Sequence, residues 1–110
     1  MLTKTGNTWW ARIYISGPIA VAEQVCREEC LREGLCVTVE PTHFIYTGGE
    51  TAGVVVGLIN YPRFPADAQG ITDRANDLAA KLLARMCQYS TLVMTPDETT
   101  WITKREDSPC

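Results

Sequence analysis

The densest chemistry in the sequence lies in the run Asn60-Tyr61-Pro62-Arg63-Phe64-Pro65. Each proline holds itself and its predecessor out of the helical region, so the run reads as a rigid link. Groups on such a link lose little entropy on binding, which preorganises Tyr61, Arg63 and Phe64. A guanidinium grips phosphate through charge-assisted, bidentate contacts, and an aromatic ring stacks on a base for about 1–3 kcal/mol. Arg74 and Asn76 follow soon after, near the start of a long helix whose N-terminus favours anions. The competing reading makes Phe64 a core staple and Arg63 a solvated charge, and the residue types alone leave both open.

Elsewhere the residues argue against familiar catalytic arrangements. His43, the single histidine, lies in a strand-like run beside Phe44, with no G-x-S-x-G sequence and no Cys-His context for a nucleophile. The carboxylates are scattered, and no pair sits in a segment that demands its burial. Gly48-Gly49 lack the following helix and lysine of a phosphate loop and read as a hairpin turn. Five cysteines (Cys26, Cys30, Cys36, Cys87 and Cys110) include no C-x-x-C pair, so core packing is preferred to zinc, and neither metal nor cofactor is expected. An odd count without a secretion signal points to reduced thiols.

These groups need elements to hold them. Residues 9–16 are aromatic and β-branched and read as a strand, stopped by Gly17-Pro18, with the proline opening a helix. Ile19, Ala22, Cys26 and Cys30 recur at near-helical spacing, and Gly34 suits the left-handed cap. Two strands follow, at 36–46 and 53–61, with a turn at 47–51 and an edge or bulge at Pro41. The stripe Ile71, Ala75, Leu78, Ala79, Leu82, Leu83 and Met86 predicts a long helix ending near Tyr89, with Asp77 and Lys81 as an i,i+4 pair. Short strands at 91–95 and 99–103 close the chain, and 103–110 reads as a frayed tail. The order β-α-β-β-α-β-β predicts an α+β fold, a mainly antiparallel sheet with two helices on one face, its first six elements following the split ferredoxin-like pattern.

The 110 residues fit a single domain, 1–110. Ten Lys plus Arg against thirteen Asp plus Glu give a net charge of -3, without the basic footprint of a duplex-DNA or anionic-membrane binder. No stretch is long and apolar enough to span a bilayer, and no signal-peptide core precedes residue 9, so a soluble intracellular protein is expected.

The runs Gly34-Leu35-Cys36-Val37-Thr38-Val39, Phe44-Ile45-Tyr46-Thr47-Gly48-Gly49 and Leu58-Ile59-Asn60-Tyr61-Pro62-Arg63-Phe64-Pro65 together resemble the phage Thoeris anti-defence protein 1 family. Trp10 to Gly17 and Thr95 to Trp101 fit it too, so the likeness covers nearly the whole chain, with the Asn-Tyr-Pro-Arg-Phe-Pro block its most specific part. The resemblance implies a sponge rather than an enzyme. Such proteins sequester cyclic ADP-ribose isomers, glycocyclic ADP-ribose among them, made by bacterial TIR proteins of the Thoeris system, without cleaving them. It also implies a homodimer, assembled further into a hexamer as a trimer of dimers, with the pocket between subunits. Binding of CBASS cyclic oligonucleotides at separate sites, and action in the cytoplasm of an infected bacterial host, come with it. The candidate ligand-binding residues rest on chemistry and on nearness to that block: Tyr61, Arg63, Phe64, Arg74, Asn76 and Thr95. Two-fold symmetry would double these groups and create two equivalent pockets.

Two other readings compete. Ile13-Tyr14-Ile15-Ser16-Gly17-Pro18-Ile19 is similar to the opening strand and turn of nucleoside deoxyribosyltransferase-like proteins, enzymes of N-glycosidic bonds. That likeness spans seven residues, and the hairpin after the first helix departs from that family. A protein-interaction module anchored on Trp9, Trp10 and Trp101 ranks third, because tryptophans on strands are more often core.

Overall fold

The computed structural model describes residues 1–104. Strand β1 (Trp10–Ser16) sends Ala11, Ile13 and Ile15 to one side, all buried, as period-two alternation demands. Helix α1 (Ile19–Arg32) starts from Pro18, which stands at the N-cap position rather than inside the first turn and supplies its carbonyl to Val21 and Ala22. The helix buries Ala22, Val25 and Cys26, and beyond it Gly34 has the positive φ (+23°) that the C-terminal turn needs.

Strands β2 (Val37–Tyr46) and β3 (Gly49–Ile59) form a hairpin closed by Thr47 and Gly48 alone, tighter than the turn expected at 47–51. Pro41 pairs with Val54 in an unbroken register, which an edge strand tolerates because its proline needs no ladder donor on the open side. Helix α2 (Ala68–Arg85) begins earlier and ends earlier than its stripe suggests. Asp67 caps its start, accepting from the Gly70 amide at 2.6 Å. At its end the amides of Cys87 and Gln88 donate to the carbonyls of Ala84 and Leu83, and Cys87 takes the left-handed φ (55°) that glycine usually supplies. Strands β4 (Ser90–Met94) and β5 (Thr99–Thr103) follow. Thr103 belongs to β5 and the Lys104 amide donates to the Tyr89 carbonyl, so the part of the expected frayed tail that is described is paired. The rest of the tail expected to fray, 105–110 with Cys110, lies outside the described residues.

All strand pairs are antiparallel, in the order β2-β3-β1-β4-β5, with both helices on one face: the expected α+β fold. The core lies between helices and sheet, around Ile13, Ile15, Val54, Val56, Leu58, Leu78 and Leu82. No helix among the described residues is long and apolar enough to cross a membrane.

One ionic cluster joins the helices and buries a single carboxylate, Glu29, that the sequence did not single out. Glu29 is 8% exposed on α1 and accepts from Arg32 (2.8 Å) and from Lys81 of α2 (2.8 Å), while the Asp77–Lys81 pair closes at 3.0 Å. Hydrogen bonds from Arg32 and Lys81 hold its carboxyl down at about 2, against an ordinary 4.5. A depressed folded-state pKa stabilises the fold fully above the unfolded value and is lost as pH falls through the folded one. Stability should therefore decline between about pH 4.5 and pH 2. Glu29→Gln should flatten that decline and cost about 1–2 kcal/mol at neutral pH, read by urea denaturation across a pH series. A variant with the parent's acid profile would show the cluster to be without consequence.

Candidate functional site on the open sheet face

Residues that alternate with the buried ones point away from the helices, and among the described residues no element covers them. The pairing register sets Glu40, Val55, Tyr14, Leu92 and Trp101 in one row across the five strands. The next row is Thr38, Gly57, Arg12, Met94 and Thr99. This face is rich in carbon and aromatic rings where an uncovered sheet would ordinarily be polar. Trp101 is 49% exposed, so the tryptophan expected to pack as core stands on the surface instead.

Glycines shape the face. Gly53 and Gly57 of β3 fall on it, four residues apart, and leave a trough between the side chains of β2 and β1. Phe44 uses the room at Gly53 to lie over β3. Two depressions result. One, of about 370 Å³, is lined by Tyr14, Ser16, Phe44, Leu92, Met94 and Trp101. The other, of about 200 Å³, takes in Trp10, Arg12, Thr38, Glu40, Val55 and Gly57. The Arg12 guanidinium stacks 5.1 Å from the centroid of the Trp10 ring. Behind the sheet, Thr91 donates its hydroxyl to the Tyr14 carbonyl at 2.8 Å, fixing the strand beneath that ring. Ser16 and Ser90 line the larger depression beside the aromatic rings, and the charged Arg12 and Glu40 line the smaller one.

The residues singled out in the sequence fall in several places. Tyr61 and Phe64 bridge each other, their ring centroids 6.0 Å apart and their planes inclined by 30°, with the Arg63 guanidinium 5.6 Å from the Phe64 centroid. Phe64 is 56% exposed, so it is no core staple. Asn60 anchors the link by donating to the Asn7 carbonyl and accepting from the Ala66 amide. Beside it, Leu2, Lys4, Tyr61, Pro62 and Arg63 line a depression of about 590 Å³ with two cations. Arg74 pairs instead with Glu33 at the end of α1 (3.6 Å), and Asn76 is exposed on α2, in the helix layer. Thr95 closes the β4–β5 turn, its hydroxyl accepting from the Glu98 amide, and lines a separate 150 Å³ hollow with Trp9 and Trp10. His43 is exposed on β2, 3.5 Å from Glu50. The described residues hold no cluster of three His, Cys, Asp or Glu groups fit for a metal.

Sequence reasoning did not single out Tyr14 or Phe44, and it took Trp101 only as an anchor of the third-ranked interaction module. Their signal was present but faint: glycines at 53 and 57 of one strand share a face, and glycine inside a strand marks close approach.

No known protein family matches the sequence, and no curated protein sequence does. Solved structures do match. A phage SAM (S-adenosylmethionine) lyase in complex with S-methyl-5'-thioadenosine is similar with a TM-score of 0.73 at 16% identity, over 96% of this chain and 98% of that one. A phage SAM lyase in its apo state gives 0.71 at 16% identity, over 98% and 99%. At this identity the likeness shows the fold. It nonetheless corrects the expectation of a sponge rather than an enzyme: this architecture carries catalysis in a phage protein, so the lack of a familiar catalytic motif is no argument against it.

Proposed function

We propose that the open sheet face binds an adenine nucleoside bearing a sulfonium and breaks its carbon–sulfur bond, so that the chain acts as a lyase on S-adenosylmethionine. The observation that carries this reading is the aromatic trough of Tyr14, Phe44 and Trp101 on a fold shared with a lyase that binds a methylthioadenosine. Aromatic faces attract a cation within about 6 Å, which suits a sulfonium. When the bond breaks, its electron pair goes to sulfur and the positive charge disappears. The substrate's own carboxylate can displace that sulfur, so the protein need supply neither nucleophile nor metal. A reaction that annihilates opposite charges is favoured where water is excluded and the walls are carbon. That accounts for a site without a triad.

An uncovered face does not exclude water by itself. A second copy of the chain laid over it completes the site, in a homodimer or a hexamer built as a trimer of dimers. The direct test incubates the purified protein with S-adenosylmethionine and follows methylthioadenosine by chromatography, with the assembly mass measured in parallel. Unconsumed substrate would end the lyase reading, and a strict monomer the shared site.

The paired cations Lys4 and Arg63 beside the stacked Tyr61 and Phe64 favour a second reading: capture of a cyclic ADP-ribose isomer, such as glycocyclic ADP-ribose, or of a CBASS cyclic oligonucleotide. Here the ligand is an anion. Arg63→Ala should weaken such a ligand roughly tenfold, through loss of a charge-assisted contact, and leave turnover of the sulfonium unchanged. Calorimetric titration of both ligands checks it, and an unchanged affinity for the cyclic nucleotide rejects this reading. Arg74, Asn76 and Thr95 remain candidates for such a ligand through their chemistry alone, apart from this depression. Either reading has the chain work in the cytoplasm of an infected bacterial host.

A further inference from the structure

The larger depression on the open face has a floor that neither functional reading uses. Ser16 and Ser90 line it, and so do Ile15 and Thr91, whose side chains are buried behind the sheet. The depression therefore reaches down between β1 and β4 to their backbone. The register explains this gap. The two strands pair from Arg12–Met94 to Tyr14–Leu92; two residues further on, Ser16 and Ser90 stand opposite each other, but the ladder stops short of them. Each strand is held by its other neighbour instead. The Gly17 amide donates to the Ala52 carbonyl of β3 at 3.1 Å, and the chain then turns off the sheet at Gly17 (φ +127°). Ser90 donates its hydroxyl to the Thr103 hydroxyl of β5 at 2.9 Å, and the Lys104 amide donates to the Tyr89 carbonyl at 2.8 Å.

Alternation decides where the peptide groups point. Odd-numbered residues of β1 share the direction of the Gly17 amide, toward β3, so the N–H and C=O of Ser16 face β4. On β4 the Tyr89 carbonyl and the Thr95 amide bond toward β5, so the N–H and C=O of Ser90 face β1. Two donors and two acceptors aim into one notch beside Tyr14 and Trp101. We propose that this notch reads the base of the ligand: the peptide groups of Ser16 and Ser90 hydrogen-bond the 6-amino edge of adenine and select 6-aminopurines over 6-oxopurines. The inference rests on the reading of the open face as an adenine-nucleoside site. Adenine offers an amino donor flanked by ring-nitrogen acceptors, and a peptide edge offers the matching acceptor and donor without any charged group. A 6-oxopurine puts an acceptor where the amino donor was, setting oxygen against carbonyl oxygen and leaving a desolvated group unpaired. The Thr91 hydroxyl, 2.8 Å from the Tyr14 carbonyl, secures the last rung, so the notch opens at a fixed point beside the Tyr14 ring.

The test titrates the isotope-labelled full chain with S-methyl-5'-thioadenosine and with its 6-oxo counterpart, S-methyl-5'-thioinosine. Calorimetry reads the affinities and NMR the backbone amides. The adenine compound should bind at least about tenfold more tightly, and it should move the Ser16 and Ser90 amide resonances downfield. Ser16→Pro deletes the N–H that faces β4 and leaves the bonds to β3 in place, so the preference should shrink several-fold in a chain whose melting temperature shows it folded. Equal affinities, Ser16 and Ser90 amides that stay put while the adenine compound binds, or an unchanged preference in folded Ser16→Pro each overturn the notch and leave the nucleoside site standing. Binding of neither compound removes the nucleoside site, and the notch with it.

Discussion

Gly53→Ala is expected to cost about 3 kcal/mol and to lower the melting temperature by roughly 10 °C or more. A Cβ at this position would land on the Phe44 ring, 2.5 Å from the Ile15 carbonyl oxygen and 3.0 Å from the Ser16 Cα. Two of those three neighbours are backbone of the central strand, which cannot step aside without breaking the β1–β3 ladder. Gly57→Ala makes the controlled comparison, because its nearest neighbour is the Thr38 hydroxyl at 2.6 Å, a side chain able to rotate. It should cost less than about 1 kcal/mol. Paired urea and thermal melts decide between them. Equal losses would mean that the close approach at Gly53 imposes no constraint. The same substitution should also empty the larger depression of one wall, since Phe44 must swing away to admit the new methyl group.

Trp101→Ala carries the second large effect, on binding rather than folding. Its ring stands on β5, the edge strand opposite β2, and lines the depression shared with Tyr14 and Phe44. Losing one stacking partner costs about 1–3 kcal/mol, so affinity for S-methyl-5'-thioadenosine should fall roughly tenfold to a hundredfold. Stability should hardly change, because half of the side chain is already in water. Leu31→Ala serves as the control: Leu31 is an exposed large hydrophobic residue of α1, and α1 packs on the opposite face of the sheet. Titration calorimetry with methylthioadenosine is the readout. An unchanged dissociation constant for Trp101→Ala would move the site off this face.

The architecture was legible because it rests on periodicity. Alternation in β1 and β3 and the stripe from Ile71 to Met86 each specify one buried face, and the order of elements then leaves few ways to close a sheet. Boundaries were harder. The end of α2 is set by Cys87, a residue with no reputation for left-handed backbone, so nothing in its type announced the stop. Burial of Glu29 was hidden as well, because its partner Lys81 lies fifty-two residues away and comes near only after the helices pack. The site divided in the same manner. The local cluster Tyr61, Arg63 and Phe64 is contiguous in sequence and was found together in space. The trough is assembled from four strands, and its members share no spacing along the chain.

The hairpin of β2 and β3 runs on past Gly53, where β1 ends, as a two-stranded ribbon that carries Phe44, Ile45 and Tyr46. It owns no buried residue there, so beyond its ladder bonds it is held by the Gly17 amide donating to the Ala52 carbonyl and by the Phe44 ring lying at Gly53. Such a ribbon is a spring rooted in a rigid block: it can flex about Gly53 while Val54 and Val56 stay packed. Phe44 rides on the moving part and Tyr14 on the fixed part, so a guest could be admitted and gripped by bending one arm, with no repacking of the interior.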